Sequence, residues 1–177
     1  MKHTLKAVIA MAFVAGAAQA QVAPDSESLQ YELSGTIASN CVLVPNGTSV
    51  VNVDMSNFGN QGLAAVAYSC NSPYTLRIAS ANGGLQHQES GGAITIAYDV
   101  ETFGFLNDDF GNGPQSFNSA AIAATPAVVA QDLSWTNILL NGGVQTGNLD
   151  LVAPSLANSS VAGTYQDTLT LTLTADI

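Results

Sequence analysis

The residues nearest the C-terminus alternate between apolar and polar side chains, and this period of two restricts the segment to β structure. The alternate positions between the apolar ones are mostly threonine, a β-branched residue that favours strands and gives them a polar outer surface. The apolar positions are Tyr165, Leu169, Leu171, Leu173, Ala175 and Ile177. The threonines are Thr168, Thr170, Thr172 and Thr174. The pattern predicts a strand over residues 164–177 with one face against a core.

Shorter alternations recur along the chain and predict further strands. The clearest are 74–79, 94–100 and an early segment in which Leu29, Tyr31, Leu33, Ile37 and Cys41 share one parity. Weaker candidates are 49–53, 63–69, 134–140 and 148–152. Glycine-rich breakers such as Gly83-Gly84 supply the positive φ that tight turns require. The alanine-rich stretch 118–131 could form a helical turn, but Pro126 interrupts it, and it is predicted as a long connection between strands. Together these features predict an all-β sandwich.

The first twenty residues have the pattern of an export signal. Lys2 and Lys6 precede an apolar stretch at 7–18, and Ala18-Gln19-Ala20 is a small-x-small cleavage site. The apolar stretch is shorter than the roughly 18 residues that span a bilayer. We therefore expect a signal peptide at 1–20, export from the cytoplasm and no membrane insertion.

The charge balance of the remaining chain excludes some partners. Arg77 would be the only basic residue left, against 13 acidic ones. Nucleic acids and anionic lipids bind proteins through Lys and Arg, so neither is an expected partner. Roughly 157 residues remain, which suits one domain with its own core.

Cys41 and Cys70 are the only cysteines. In an exported chain two cysteines are expected to pair, and these enclose a loop of roughly 30 residues. A reactive C-x-x-C arrangement is absent, so the expected role of this disulfide is structural.

No set of residues predicts catalysis, a cofactor or a metal. His87 is the only histidine after the leader and is interpreted as a solvated loop residue. The sequence has no G-x-S-x-G motif whose serine a histidine base could activate. One histidine and two paired cysteines cannot supply the three or four ligands of a zinc site. The acidic loop 107–113 lacks the ligand spacing and closing glutamate of a calcium loop. Trp135 is interpreted as a core residue, with sugar stacking as the alternative.

The N-terminal segment presents a different possibility. A sandwich that lacks one strand exposes apolar surface and unpaired backbone groups, and a neighbour's extended segment can fill that gap by strand addition. The segment 21–33 is a candidate donor, through Val22, Leu29, Tyr31 and Leu33. It is equally compatible with being the first strand of a complete monomer.

Four stretches of the chain carry a resemblance to a known family. The most specific is the ending Ala162-Gly163-Thr164-Tyr165-Gln166-Asp167-Thr168-Leu169-Thr170-Leu171. The others are Ser34-Gly35-Thr36-Ile37-Ala38-Ser39-Asn40-Cys41, Tyr68-Ser69-Cys70-Asn71-Ser72-Pro73-Tyr74-Thr75-Leu76 and Ile96-Ala97-Tyr98-Asp99. They occur in the expected order and span most of the chain after the leader. In these stretches the chain resembles the spore coat protein U family, whose domains also form subunits of archaic chaperone–usher pili.

The resemblance implies an immunoglobulin-like sandwich over 34–177 that lacks its final strand. It also implies a periplasmic chaperone, an outer-membrane usher and a fibre of identical or related subunits at the cell surface. By position, the donor strand would be 22–33 and the disulfide Cys41–Cys70. The C-terminal strand would border the groove and contact the chaperone through Tyr165, Leu169, Leu171, Leu173 and Ile177. The alternative is a stand-alone secreted surface or carbohydrate-binding protein.

Overall fold

The computed structural model describes residues 31–47, 51–57, 59–106, 111, 113–154 and 161–177. The chain divides into two units, Met1–Thr36 and Ile37–Ile177. In the first unit, the described residues 31–36 have no regular secondary structure. The expected leader and the candidate donor positions Val22 and Leu29 lie outside the described residues. All of the described strands and helices belong to the second unit.

The largest sheet has five antiparallel strands. In order across the sheet they are β1 (Cys41–Asn46), β2 (Gly59–Cys70), β9 (Gln145–Ala153), β6 (Asp99–Phe103) and β7 (Gln115–Asn118). The predicted strands at 63–69 and 148–152 are confirmed as parts of β2 and β9. β1 is therefore one edge of this sheet, and only β2 pairs with it among the described residues.

Two smaller antiparallel sheets complete the described fold. One has the order β11 (Leu169–Ala175), β3 (Tyr74–Ser80) and β8 (Ala127–Asp132). The other has the order β10 (Tyr165–Gln166), β4 (Leu85–His87) and β5 (Thr95–Ile96). The predicted strand at 74–79 is confirmed as β3. These antiparallel sheets share one apolar core, which confirms the all-β sandwich.

Alternate residues of the strands build the core, as a period of two requires. Leu76 and Ile78 of β3 are fully buried, and so is Val100 of β6. The ring of Tyr68 stacks on Phe105 with centroids 5.8 Å apart. Its phenolic oxygen accepts a 3.0 Å hydrogen bond from the Leu106 backbone N–H, so this buried hydroxyl is satisfied.

Cys41 and Cys70 face each other in the β1–β2 register and form the predicted disulfide. The bond closes the end of the ladder at which β1 begins and β2 ends. It therefore fixes the edge strand β1 to a buried residue of β2 at the point where the chain enters the domain.

Two segments of the chain form short helices. Within the predicted connection 118–131, α1 (Ser119–Ala124) begins after Asn118, whose side chain accepts from the Ala120 N–H, and β8 follows it. The weak strand prediction at 134–140 is wrong, because this segment forms α2 (Trp135–Asn141). The Ser134 hydroxyl accepts a 3.3 Å hydrogen bond from the Asn137 N–H and so caps the helix.

Four other predictions were too long or misplaced. The C-terminal strand is two strands, β10 and β11, separated at Asp167 and Thr168. The segment 94–100 is likewise interrupted between β5 and β6. Residues 31–40 form no strand, and neither do residues 51–53 of the candidate at 49–53. The early alternation therefore contributes only its last residue, Cys41, to β1.

Candidate functional site

Each of the three described sheets ends in two strands that pair on one side only, and β1 and β11 are two of these end strands. β1 ends the five-stranded sheet and β11 ends a three-stranded one, and the two strands lie close together. Among the described residues, no strand pairs with the outer side of either. Each therefore presents backbone N–H and C=O groups that another strand can bind.

The two faces of β11 differ in the way the alternation predicts. Thr170, Thr172 and Thr174 are exposed. Leu169, Leu171 and Leu173 face the core but are only partly buried. These leucines pack against the buried cluster without being covered by it, in contrast to Leu76 and Ile78 of the paired strand β3, which are fully buried.

β1 lies beside β11 and belongs to the other sheet. Leu43 is partly buried against the core, while Val42 and Val44 are exposed. We name the surface between β1 and β11 the edge groove; its apolar lining consists of Leu43, Leu169, Leu171 and Leu173.

A carboxylate fixes β11 at its N-terminal end. Asp167 accepts hydrogen bonds from the Ser80 hydroxyl at 2.6 Å and from the Tyr98 hydroxyl at 2.7 Å. It also accepts from the backbone N–H groups of Asn82 and Thr168. These bonds explain the break between β10 and β11, because the chain is held here by a side chain and passes from one sheet to the other.

The environment of Tyr98 follows from its burial. Burial raises the pKa of its phenol well above the ordinary value, and the hydrogen bond to the Asp167 carboxylate raises it further. The neutral phenol is thus the form that the fold accommodates. Asp167 and Tyr98 were not identified as partners in the sequence, because 69 residues separate them.

A second buried group holds the chain just before β10. The imidazole Nε2 of His87 lies 3.1 Å from the Ala162 carbonyl oxygen, and its Nδ1 accepts from the Ser90 N–H. Because Nδ1 accepts, Nε2 carries the proton and donates to Ala162. The interpretation of His87 as a solvated loop residue is therefore wrong: it is 5% exposed.

Glu89 and Tyr165 complete the surroundings of this histidine. The Glu89 carboxylate accepts from the Thr164 N–H at 3.0 Å and lies 3.3 Å from His87 Nε2. Hydrogen bonds from its own backbone N–H and from Thr164 lower the pKa of Glu89. The Tyr165 ring packs against the imidazole, with centroids 5.0 Å apart. Tyr165 thus belongs to β10 and this cluster rather than to the leucine face of β11.

The C-terminal end of β11 is fixed as well. Asp176 accepts a 2.6 Å hydrogen bond from the Thr75 hydroxyl, and its N–H donates to the Pro73 carbonyl. Ile177 follows and is largely exposed, beyond the last residue of the strand. β11 is therefore held at both ends, while no strand in the described part of the chain pairs with its outer edge.

The described part of the candidate donor is exposed. Tyr31 is 78% exposed and Leu33 is 92% exposed. Closer to the domain, the Asn71 side-chain amide donates to the Ala38 carbonyl, and its oxygen accepts from the Asn40 N–H. These bonds hold the backbone immediately before Cys41 against the β2–β3 turn. The described residues 31–40 do not pair with a strand.

Other candidate residues are less informative or differ from expectation. Arg77 is exposed on β3, in contrast to its neighbours Leu76 and Ile78, which are fully buried. Most of the acidic loop 107–113 lies outside the described residues. Trp135 is 62% exposed, so its interpretation as a core residue is wrong; α2 carries it on the outside. In the part of the chain that the structure describes, no cluster of His, Cys, Asp and Glu is suited to a metal ion.

None of the helices among the described residues is both long and apolar enough to span a membrane. Comparisons with protein-family models, with curated proteins and with solved structures found no match to this chain.

Proposed function

We propose that this chain is a structural subunit of a chaperone–usher type surface fibre, assembled by donor-strand exchange. In this proposal the segment 21–33 of one subunit enters the edge groove of the next and pairs with β11. The fold then corresponds to an immunoglobulin-like sandwich completed by a strand from another molecule. Such a contact joins two different surfaces, so its repetition produces an open fibre rather than a closed ring.

One observation carries the proposal: β1 and β11 are neighbouring strands that each pair on one side only among the described residues, and β11 has a face of partly buried leucines. An added strand would cover Leu169, Leu171 and Leu173 and pair with the backbone groups on the outer side of β11. If the donor side chains of Leu29, Tyr31 and Leu33 are buried there, each contributes about 1.5–3 kcal/mol.

The proposal includes the route to the cell surface. A leader at 1–20 would direct the chain to the periplasm, where a chaperone would lend a strand to the groove before an outer-membrane usher replaces it. The subunit then serves attachment or biofilm formation and not catalysis. The hydrogen bonds of His87 support the last point, since both of its ring nitrogens bind backbone groups.

A deletion and a peptide test the proposal together. The chain beginning at Gln21 should form polymers, whereas the same chain without residues 21–33 should stay monomeric. A synthetic peptide of residues 21–33 should bind that truncated chain and raise its melting temperature. A peptide with Leu29, Tyr31 and Leu33 replaced by serine is the matched control and should have no effect. Unchanged assembly after the deletion would exclude donor-strand exchange.

The exposure of Trp135 favours one alternative, a stand-alone secreted carbohydrate-binding protein. An exposed indole offers the flat apolar face on which sugar rings stack. A monomer that binds a glycan saturably, and loses the binding in the W135A variant, would favour this alternative. Polymerisation that depends on residues 21–33 would favour the fibre.

A further inference from the structure

An exposed apolar surface surrounds the second helix. Several large apolar side chains lie here with little or no cover, and Leu139 is 84% exposed. We name this surface the α2 patch; it consists of Leu133, Trp135, Leu139, Leu140 and Val144. Neighbouring large apolar residues left exposed in this way indicate a contact surface rather than scattered apolar positions.

The helix geometry explains why these residues point outward together. Trp135 and Leu139 are four residues apart and share one side of α2. Ile138 takes the opposite role and packs against the core as a partly buried residue. The helix thus packs on the core through Ile138, and the side that carries Trp135 and Leu139 faces outward.

The α2 patch lies at the end of the sandwich where the chain enters the domain. Cys70, Tyr74, Asn137 and Ile138 line one crevice at this end. Cys70 is bonded to Cys41, the first residue of β1. The hydrogen bonds of Asn71 to Asn40 and Ala38 keep the preceding backbone at the same end.

We propose that the α2 patch is a second contact between subunits, buried against the copy that receives this chain's segment 21–33. The inference rests on the proposed function and adds a surface to it. Residues 34–40 span at most about 25 Å when fully extended, and the bonds from Asn71 shorten their free length. A copy holding the donor segment is therefore kept close to the end that carries the patch.

The charge distribution favours a second copy as the occupant. The chain has 13 acidic residues, so two copies repel each other over most of their surfaces. Residues 133–149 contain no charged side chain, although they lie between Asp132 and Asp150. Asp132 is itself buried and accepts a hydrogen bond from the Ser134 N–H. The segment that carries the patch thus brings no charged side chain of its own to a contact between like-charged copies.

The only tryptophan of the chain reports directly on this contact, because Trp135 lies within the patch. Assembly of the chain beginning at Gln21 is followed by light scattering while Trp135 fluorescence and its quenching by acrylamide are recorded. We expect the emission to shift to shorter wavelength as polymers form. The quenching constant should fall about threefold if the indole becomes as buried as the centre of an ordinary interface.

A patch variant and a matched control separate this contact from the donor strand. The L139S/L140S/V144S variant keeps the tryptophan, the donor segment and the edge groove. It should still assemble, but Trp135 should remain as open to acrylamide as in the monomer. The control V161S changes an exposed valine elsewhere in the domain and should behave like the unmodified chain.

Each outcome bears on the inference. Polymers of the unmodified chain in which Trp135 stays fully quenchable would overturn the second contact and leave the donor-strand proposal intact. A chain that never assembles would overturn both. Protection of Trp135 in monomers by an oligosaccharide or by neutral lipid vesicles, without protection in polymers, would assign the patch to a glycan or a membrane instead.

Discussion

The phenolic hydroxyl of Tyr98 donates a 2.7 Å hydrogen bond to the carboxylate of Asp167, across 69 residues of sequence. Tyr98 is buried directly before β6, and Asp167 lies where the chain passes from β10 to β11. This bond links the large sheet to the start of the open edge strand. The edge groove thus depends on a carboxylate outside the groove itself.

Replacing Asp167 by alanine should destabilise the fold. The change leaves the buried hydroxyls of Ser80 and Tyr98 without their partner, and each such loss costs about 1–3 kcal/mol. Urea unfolding of D167A, Y98F and the double variant measures the effect. Because Y98F removes one of the hydroxyls that D167A leaves without an acceptor, the double variant should lose less stability than the two single variants lose together.

D99N is the control, since the only described hydrogen bond that the Asp99 side chain accepts is an exposed one from Asn118. Additive losses would contradict the predicted coupling.

Stability should decline in alkaline solution because of the buried phenols. Burial raises the pKa of Tyr98 and of Tyr68 above their ordinary value of 10.0. Above about pH 10 the unfolded chain releases these protons while the folded chain keeps them, so stability is complete below that pH and falls above it. Each phenol should contribute about 1.4 kcal/mol per pH unit.

Urea unfolding at several pH values between about 9 and 11 measures this decline. The Y98F variant supplies the comparison, because it lacks one of the two phenols and should lose stability less steeply. An identical slope in Y98F and the unmodified chain would show that Tyr98 does not contribute.

Glycine at position 163 should be required by the histidine cluster. Gly163 has a φ of 156°, and a Cβ built there would collide with the His87 ring and approach the Glu89 carboxylate. We expect G163A to destabilise the domain by about 1–3 kcal/mol, since the ring is buried and cannot move freely. G113A is the matched control, because a Cβ at Gly113 meets nothing within 4 Å. Equal melting temperatures for the two variants would show that the segment before β10 is free to shift.

The sequence predicts best those elements whose pattern is local. The leucine–threonine alternation of β11 and the apolar parity of β3 are visible in a few residues. Both segments form strands, although the predicted C-terminal strand is interrupted at Asp167 and Thr168. The disulfide followed from the two cysteines alone. The edge strands could not be identified in this way, because which strand ends a sheet depends on pairings between distant parts of the chain.

The errors share a physical cause. His87 looked like a solvated loop residue because its partner Ala162 is 75 residues away. The Ser134–Leu140 segment has strand-forming residues, but the Ser134 cap and the docking of Ile138 select a helix. That helix in turn places Trp135 outside the core. The local sequence signal for this helix was its cap, because Ser134 lies three residues before Asn137, whose N–H it binds.

The partial burial of Leu171 leads to a prediction that separates an open groove from a complete domain. In the chain without residues 21–33, Leu171 is only partly covered, so L171A should cost about 1 kcal/mol. Once a donor strand covers this face, the same change leaves a cavity and should cost about 2–5 kcal/mol. Urea unfolding of the truncated chain and of its L171A variant, each with and without the peptide of residues 21–33, measures the cost of the substitution in the two states. T172A alters the exposed face of the same strand and should have the same small effect in both states. Equal costs for L171A with and without peptide would mean that the peptide does not cover Leu171, because a side chain cannot become fully buried without raising the cost of its removal.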